Sequence, residues 1–245
     1  MKGKIIGVIV FLLMVNVVNA EKNTGKLSND MVKSFVEYRL IKSGLQVSNN
    51  IKVNVADQTI TLTGVVPTLA AERKAVKEAQ KVEENYKIVN DLILQPSNLS
   101  DSQIAENVSK RIDNYLFYDV FDWVVVQVQD GVVTLSGWAH LPWSASQINS
   151  IVEKVEGVQG INNNIQKETG SDELRYRAAR VIYSNHLFER YAYLSNPPVH
   201  IIVNGPNITL EGTVDSELER DWAETLVSFG TDVLHVTNDL MVVKE

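Results

Sequence analysis

The chain has 245 residues, no cysteine, 44 % hydrophobic and 22 % charged residues. Those figures exclude a disulfide scaffold, a thiolate metal site, a thiol nucleophile and wholesale disorder. A formal net charge of −7 argues against a protein whose main work is gripping nucleic acid.

Lys2 and Lys4 precede an apolar run over residues 5–18, and Val18-Asn19-Ala20 closes it with compact side chains. This is the layout of a secretory signal peptide, residues 1–20, cleaved after Ala20. Read as a membrane anchor, so short a run spans only roughly 21 Å of a hydrocarbon core ~30 Å thick. No cysteine follows it, which excludes a lipid-anchored lipoprotein. No later run approaches the ~18 apolar residues of a membrane helix, so the mature chain is expected to hold no transmembrane span. Removing residues 1–20 takes away two lysines and no acid, leaving a net charge of −9. An exported chain without disulfides suits a bacterial periplasm.

The mature chain repeats one unit three times. Thr61-Leu62-Thr63-Gly64, Thr134-Leu135-Ser136-Gly137 and Thr209-Leu210-Glu211-Gly212 are versions of one string. Each is followed, 26 residues after its glycine, by the asparagine of an apolar-x-Asn-x-apolar string: Asn90, Asn163 and Asn238. Upstream, Asn29, Asp101 and Ser171 read as helix N-caps. Val32, Val36 and Leu40 follow the first, Ile104, Val108 and Ile112 the second, and Leu174, Ala178 and Ile182 the third. Spacings of four keep one helical face apolar. Alternating strands then meet turns at Asp57-Gln58, Asp130-Gly131 and Asn204-Gly205. A second helix after the glycine shows its apolar face at Ala75 and Ala79, Ile148 and Val152, and Ala223 and Val227. Each unit therefore reads α-β-β-α-β, an α+β fold with a three-stranded sheet packed on two helices. The predicted domains are 29–95, 101–166 and 171–243, joined by short linkers near 96–100 and 167–170.

This pattern resembles the BON domain, a family named for osmotic-stress and nodulation proteins of bacteria. The second copy carries the signature best, in Val126-Gln127-Val128-Gln129-Asp130-Gly131-Val132-Val133-Thr134-Leu135-Ser136-Gly137. The first has Asp57-Gln58 in place of Asp-Gly, and the third departs most, with Asn204-Gly205-Pro206-Asn207 in its turn. The resemblance implies a periplasmic or envelope-attached protein of osmotic or envelope stress. It implies contact with phospholipid surfaces or with other envelope proteins, or a chaperone-like or scaffold role on exported polypeptides without lipid. It supplies no catalytic residues. Gly64, Gly137, Gly212, Asn90, Asn163 and Asn238 read as a structural repeat signature.

The residues themselves show no chemistry of an enzyme. The four histidines, His140, His186, His200 and His235, have no ligand partner at metal-binding spacing within one element. There is no nucleophile elbow, phosphate loop or dinucleotide fingerprint. No enzyme, metal, cofactor or nucleic-acid partner is expected.

Two asymmetries between the copies bear on binding. Residues 30–95 carry a charge of +1, residues 101–167 of −4 and residues 171–245 of −6. In the first copy Arg73, Lys74, Lys77 and Lys81 fall on one side of the second helix, as a headgroup contact or as a solvated helix face. The second asymmetry is aromatic. The first copy has three aromatic residues and the others seven each. Phe117, Trp138 and Trp143 in the second copy are candidates for lipid or protein contact, unless the surplus packs between repeats.

Overall fold

The repeat is written into the backbone three times. The structure is a computed structural model that describes residues 27–45, 50–82 and 85–243. The predicted signal peptide lies outside the described residues. The first repeat holds helix α1 (Asn29–Lys42), strands β1 (Lys52–Ala56) and β2 (Thr59–Val66), helix α2 (Leu69–Gln80) and strand β3 (Lys87–Leu94). The second holds α3 (Asp101–Asp113), β4 (Trp123–Gln129), β5 (Val132–Ala139), α4 (Ser144–Val152) and β6 (Gly160–Lys167). The third holds α5 (Asp172–Tyr183), a short α6 (Glu189–Ala192), β7 (Val199–Asn204), β8 (Asn207–Val214), α7 (Glu217–Gly230), β9 (His235–Asn238) and β10 (Met241–Val242). Each repeat forms its own small sheet with the middle strand central, so the fold is α+β with three tandem units.

The hairpins are antiparallel and the closing strands of the second and third sheets return parallel to the central one, as a helical crossover requires. In the third sheet the closing strand is broken into β9 and β10, both paired with β8. Two compact units result. Of the described residues, one unit comprises those up to Val65 with those of 74–93, the other Val66–Arg73 with those from Leu94 onward.

Local chemistry explains the elements. The helices begin at Ser28, Ser100 and Ser171, whose hydroxyls accept from the backbone N–H three residues on. The first two caps thus lie one residue ahead of Asn29 and Asp101. Asp101 instead accepts from the N–H groups of Asp130 and Gly131, at 2.9 Å each, and ties the hairpin turn to the helix start. Asp57 and Gln58 both take positive φ, so the first turn reaches the left-handed region without glycine.

The apolar faces close over the sheets. Val32, Val36 and Leu40 are fully buried in the first repeat, with Ile60, Leu62, Ala75 and Ala79. In the second, Ile104, Val108 and Ile112 meet Val133, Leu135, Ile148 and Val152. In the third, Ala178 and Ile182 pack on Ile201, Ile208, Leu210, Ala223 and Val227. Among the described residues no helix is long and apolar enough to cross a membrane.

Candidate binding surfaces

The signature residues hold the backbone together. Gly137 and Gly212 have φ of 110° and 109°, and a Cβ on either would run into a carbonyl oxygen of the neighbouring strand, that of Trp123 or of Pro198. Only glycine meets both conditions. Gly64 has the same conformation against Asn50. Asn163 donates from its side-chain amide to the carbonyl of Ala145 at 2.8 Å, and Asn238 to that of Arg220 at 2.8 Å. Each therefore pins the closing strand to the first turn of the second helix. The oxygens of Asn90, Asn163 and Asn238 accept from the N–H two residues on.

The surplus aromatic residues divide into two groups. Phe121 is buried in the core of the third repeat, although it belongs to the loop between α3 and β4 of the second. Its ring meets His140 at 5.7 Å and Tyr176 at 5.5 Å, with the guanidinium of Arg175 over it. Trp123 and Tyr118 pack against the ring of His200. These rings join the second repeat to the third. Backbone bonds complete the joint: the N–H of Ile201 donates to Val120 at 2.7 Å, and that of Gly170 to Val203 at 3.0 Å. Glu168, whose carboxylate is fully buried, accepts from the N–H of Val203 at 2.9 Å and from Arg175 at 2.7 and 2.9 Å.

Asp119, Asp122 and His140 bring their ligand atoms within 4.8 Å of one another beside this joint. Both Asp122 oxygens and one Asp119 oxygen already accept hydrogen bonds. Asp122 accepts from the N–H of Asp119, the N–H of His140 and the His140 ring, and Asp119 accepts from the N–H of Phe121. Arg175 lies close enough to repel a cation. The cluster works as a polar latch on the 117–122 loop, and the donors present leave a metal ion poorly served. Burial of the His140 ring lowers its basicity, but the Asp122 hydrogen bond and the charges of Asp122 and Asp119 outweigh that and raise it. His200 is pushed down by burial. Its Nδ1 has no hydrogen-bond partner.

The second aromatic group faces outward. Leu116 is 86 % exposed, Phe117 49 % and Trp143 49 %. Trp138 is half-buried and sits across the hairpin from Trp123. Leu116 and Phe117 follow directly on a shallow groove of about 400 Å³ lined by Asn107, Lys110, Arg111, Asn114, Lys154 and Glu156. Three cations thus line a groove whose Asn114 lies two residues before Leu116 in the chain. Lys110 is paired with Glu106, whereas Arg111 and Lys154 have no ion-pair partner among the described residues. Sequence reading missed this groove, because its cations come from the ends of α3 and α4 and the second repeat is acidic as a whole. The visible signal was the run Lys110-Arg111 in the last turn of α3, just before the aromatic loop.

The basic face of α2 is largely engaged. Arg73 pairs with Glu153, Lys74 donates to the carbonyl of Ser43 at 2.8 Å, and Lys81 pairs with Glu78, which Arg39 also holds. Lys77 is exposed.

Comparison with known proteins fits this architecture. No curated protein matches the chain. Two solved structures of CdsD, a structural protein of the type III secretion system of Chlamydia trachomatis, are similar at 13 % identity, one of them its C-terminal domain. The first covers 86 % of this chain and 91 % of its own with a TM-score of 0.26, and the second 85 % and 96 % with 0.27. Likenesses that loose carry no argument. The BON domain, by contrast, matches residues 30–96, 100–168 and 185–244. The third match begins beyond α5, in the repeat whose first helix and following loop are the most altered. With three matches over most of its length, the chain belongs to the BON domain family.

Proposed function

We propose that this is a non-enzymatic protein of the bacterial periplasm that visits phospholipid surfaces through the outward corner of its second BON unit. The observation that supports it is that the groove bearing Lys110, Arg111 and Lys154 also holds Asn114, two and three residues before the exposed Leu116 and Phe117 in the chain. A headgroup phosphate suits the cations, and the two side chains suit the acyl boundary. Trp143 adds an exposed ring on the same repeat. The affinity comes from apolar burial more than from charge. Burying ~100 Å² on each of two side chains contributes about 5 kcal/mol before ordering costs. That is weak, reversible attachment. Arg73 and Lys81 of α2 contribute little, because Glu153 and Glu78 already neutralise them.

Flotation with phosphatidylglycerol-containing vesicles at low and high salt tests the reading. Wild type should float and should keep most of its binding at high salt. Leu116→Ser with Phe117→Ser should abolish flotation, and Arg111→Glu with Lys154→Glu should weaken it at low salt. Lys77→Glu should leave it unchanged. Flotation lost only in the α2 variant, or absent throughout, would overturn the proposal.

A further inference from the structure

Helix α7 of the third repeat carries large apolar side chains beyond those its core encloses. Its buried face is Glu219, Ala223 and Val227. Leu218, Trp222, Leu226 and Phe229 follow one another at spacings of four, four and three, which lines them up along a second face. Leu218 is 63 % exposed, Trp222 39 % and Phe229 89 %. Leu226 is half-buried and packs against the core, so the exposed part of the stripe is Leu218, Trp222 and Phe229. The repeat does not require this stripe. At the same distances from the shared glycine the first repeat has Ala70, Lys74, Glu78 and Lys81, and the second Trp143, Gln147, Ile151 and Lys154.

A row of acids borders the stripe. Glu217 and Asp221 recur at helical spacing on the side away from the buried face, and Glu224 follows them, accepting from the side-chain amide of Asn238 at 3.3 Å. Arg220 is the helix's single base and is paired with Asp221 at 2.9 Å. The whole repeat is acidic by six charges. This setting selects the occupant. An anionic lipid surface would meet repulsion, and so would α7 of a second copy, acid row against acid row. A helix with an apolar ridge flanked by lysine or arginine meets both features at once.

We propose that α7 is the docking face for a cationic amphipathic helix of a partner protein. The surface and its ligand are separate from the lipid-facing corner of the second repeat, so either can fail alone. The partner's apolar ridge covers Leu218, Trp222 and Phe229, and its basic flank faces Glu217 and Asp221.

The test uses the full mature chain and a synthetic 18-residue Leu/Lys amphipathic helix as probe. A scrambled peptide of the same composition, without an apolar face, is the control. Binding is read by calorimetry and by tryptophan emission. The amphipathic peptide should bind at least tenfold more tightly than the scrambled one and shift the emission to the blue. Trp222→Phe should remove most of that shift. Leu218→Ser with Phe229→Ser should weaken binding tenfold or more, at an unchanged thermal midpoint because both side chains are exposed. Glu217→Lys with Asp221→Lys should weaken it similarly at low salt and less at high salt. Equal binding of the scrambled peptide would reduce the effect to the chain's net charge and overturn the proposal. An emission shift that survives Trp222→Phe, or wild-type affinity in both double variants, would place the site elsewhere and do the same. Should the serine variant lose vesicle flotation while keeping the peptide, the face would belong to lipid and the proposal would fall.

Discussion

Strands β4 and β7 occupy the same place in successive repeats, yet their outer edges have opposite fates. Val124 pairs with Gly137 and Val199 with Gly212, so the two hairpins are in one register. Residues Val199 to Val203 are all buried. In β4 exposed and half-buried residues alternate after Trp123-Val124. The outward N–H of Ile201 is taken by Val120 and that of Val203 by Glu168. Among the described residues the matching groups of Val126 and Val128 have no backbone partner outside the sheet. The N–H of Val124 is covered by the Tyr118 hydroxyl. An open edge is a liability that proteins blunt. Here the chain seals one edge with its own linker and with the preceding repeat's loop, which makes the second and third repeats a joined pair.

The strongest way to break that pair is to remove its buried carboxylate. Glu168→Ala leaves the Arg175 guanidinium, which is 5 % exposed, with only the exposed Asp172 as ion-pair partner, and orphans the Val203 N–H. Breaking a buried pair on one side costs about 3–5 kcal/mol. Urea unfolding should show the loss as a lower midpoint. A loss under about 1 kcal/mol would mean that the joint is held by the rings around Phe121 alone.

Proline compares the two edges directly. Ile201→Pro removes a 2.7 Å bond in a buried strand, whereas Val126→Pro removes an N–H that has no backbone partner outside the sheet among the described residues. The first should cost at least about 2 kcal/mol more than the second, since a strand proline is tolerated where the N–H faces solvent. Similar losses in thermal unfolding would show that the β4 edge is covered in solution.

The signature glycine is the control, because the two repeats agree there. Gly137→Val adds a branched side chain against the Trp123 carbonyl at positive φ and should cost more than about 1 kcal/mol. Gly212→Val should behave alike. Gly205 has φ of 57° but nothing within 4 Å of an added Cβ, so Gly205→Asn should cost only a few tenths of a kcal/mol. Equal melting shifts at Gly137 and Gly205 would refute the steric part of the argument.

How much of this was legible beforehand follows from range. Helix faces, hairpins and the glycine-to-asparagine spacing are local, so Val32, Ile104 or Ala223 could be assigned to a core from periodicity alone. The N-cap shift from Asp101 to Ser100 is a choice between adjacent capping residues that composition does not settle. Neither periodicity nor spacing shows that Phe121 enters the third core, or that Arg175 is buried on a helix whose neighbouring positions are solvated. Both depend on a partner some fifty residues away in the chain, or on a carboxylate in the linker. The basic groove escaped for a related reason. Lys154 reaches Arg111 only across the fold, and a block charge of −4 concealed them. The stripe on α7 was within reach, since Leu218, Trp222 and Phe229 are local, but an amphipathic reading assigns one apolar face to the core and stops there.

The smallest predicted effect separates the two histidines of the joint by sign. His140 has its basicity raised by Asp122 and Asp119 against the effect of burial. A group raised in the folded state contributes fully below its unfolded value of about 6.5, and the contribution fades as pH rises through the folded value. His200 is lowered by burial, with no partner at Nδ1. Its neutral form is the one the fold accepts, so its cost is absent above about 6.5 and grows as pH falls below that. The two slopes lie on opposite sides of that value. Wild type should therefore show a stability maximum near pH 6.5 between pH 5 and 8, measured by urea midpoints. His140→Gln should remove the loss above neutral and keep the fall on acidification below pH 6.5. His200→Gln should do the reverse, keeping only a gentle loss as pH rises above neutral. Identical profiles in the two variants would show that the polar latch titrates through Asp119, which burial also pushes up, and that neither ring sets the pH response of the joint.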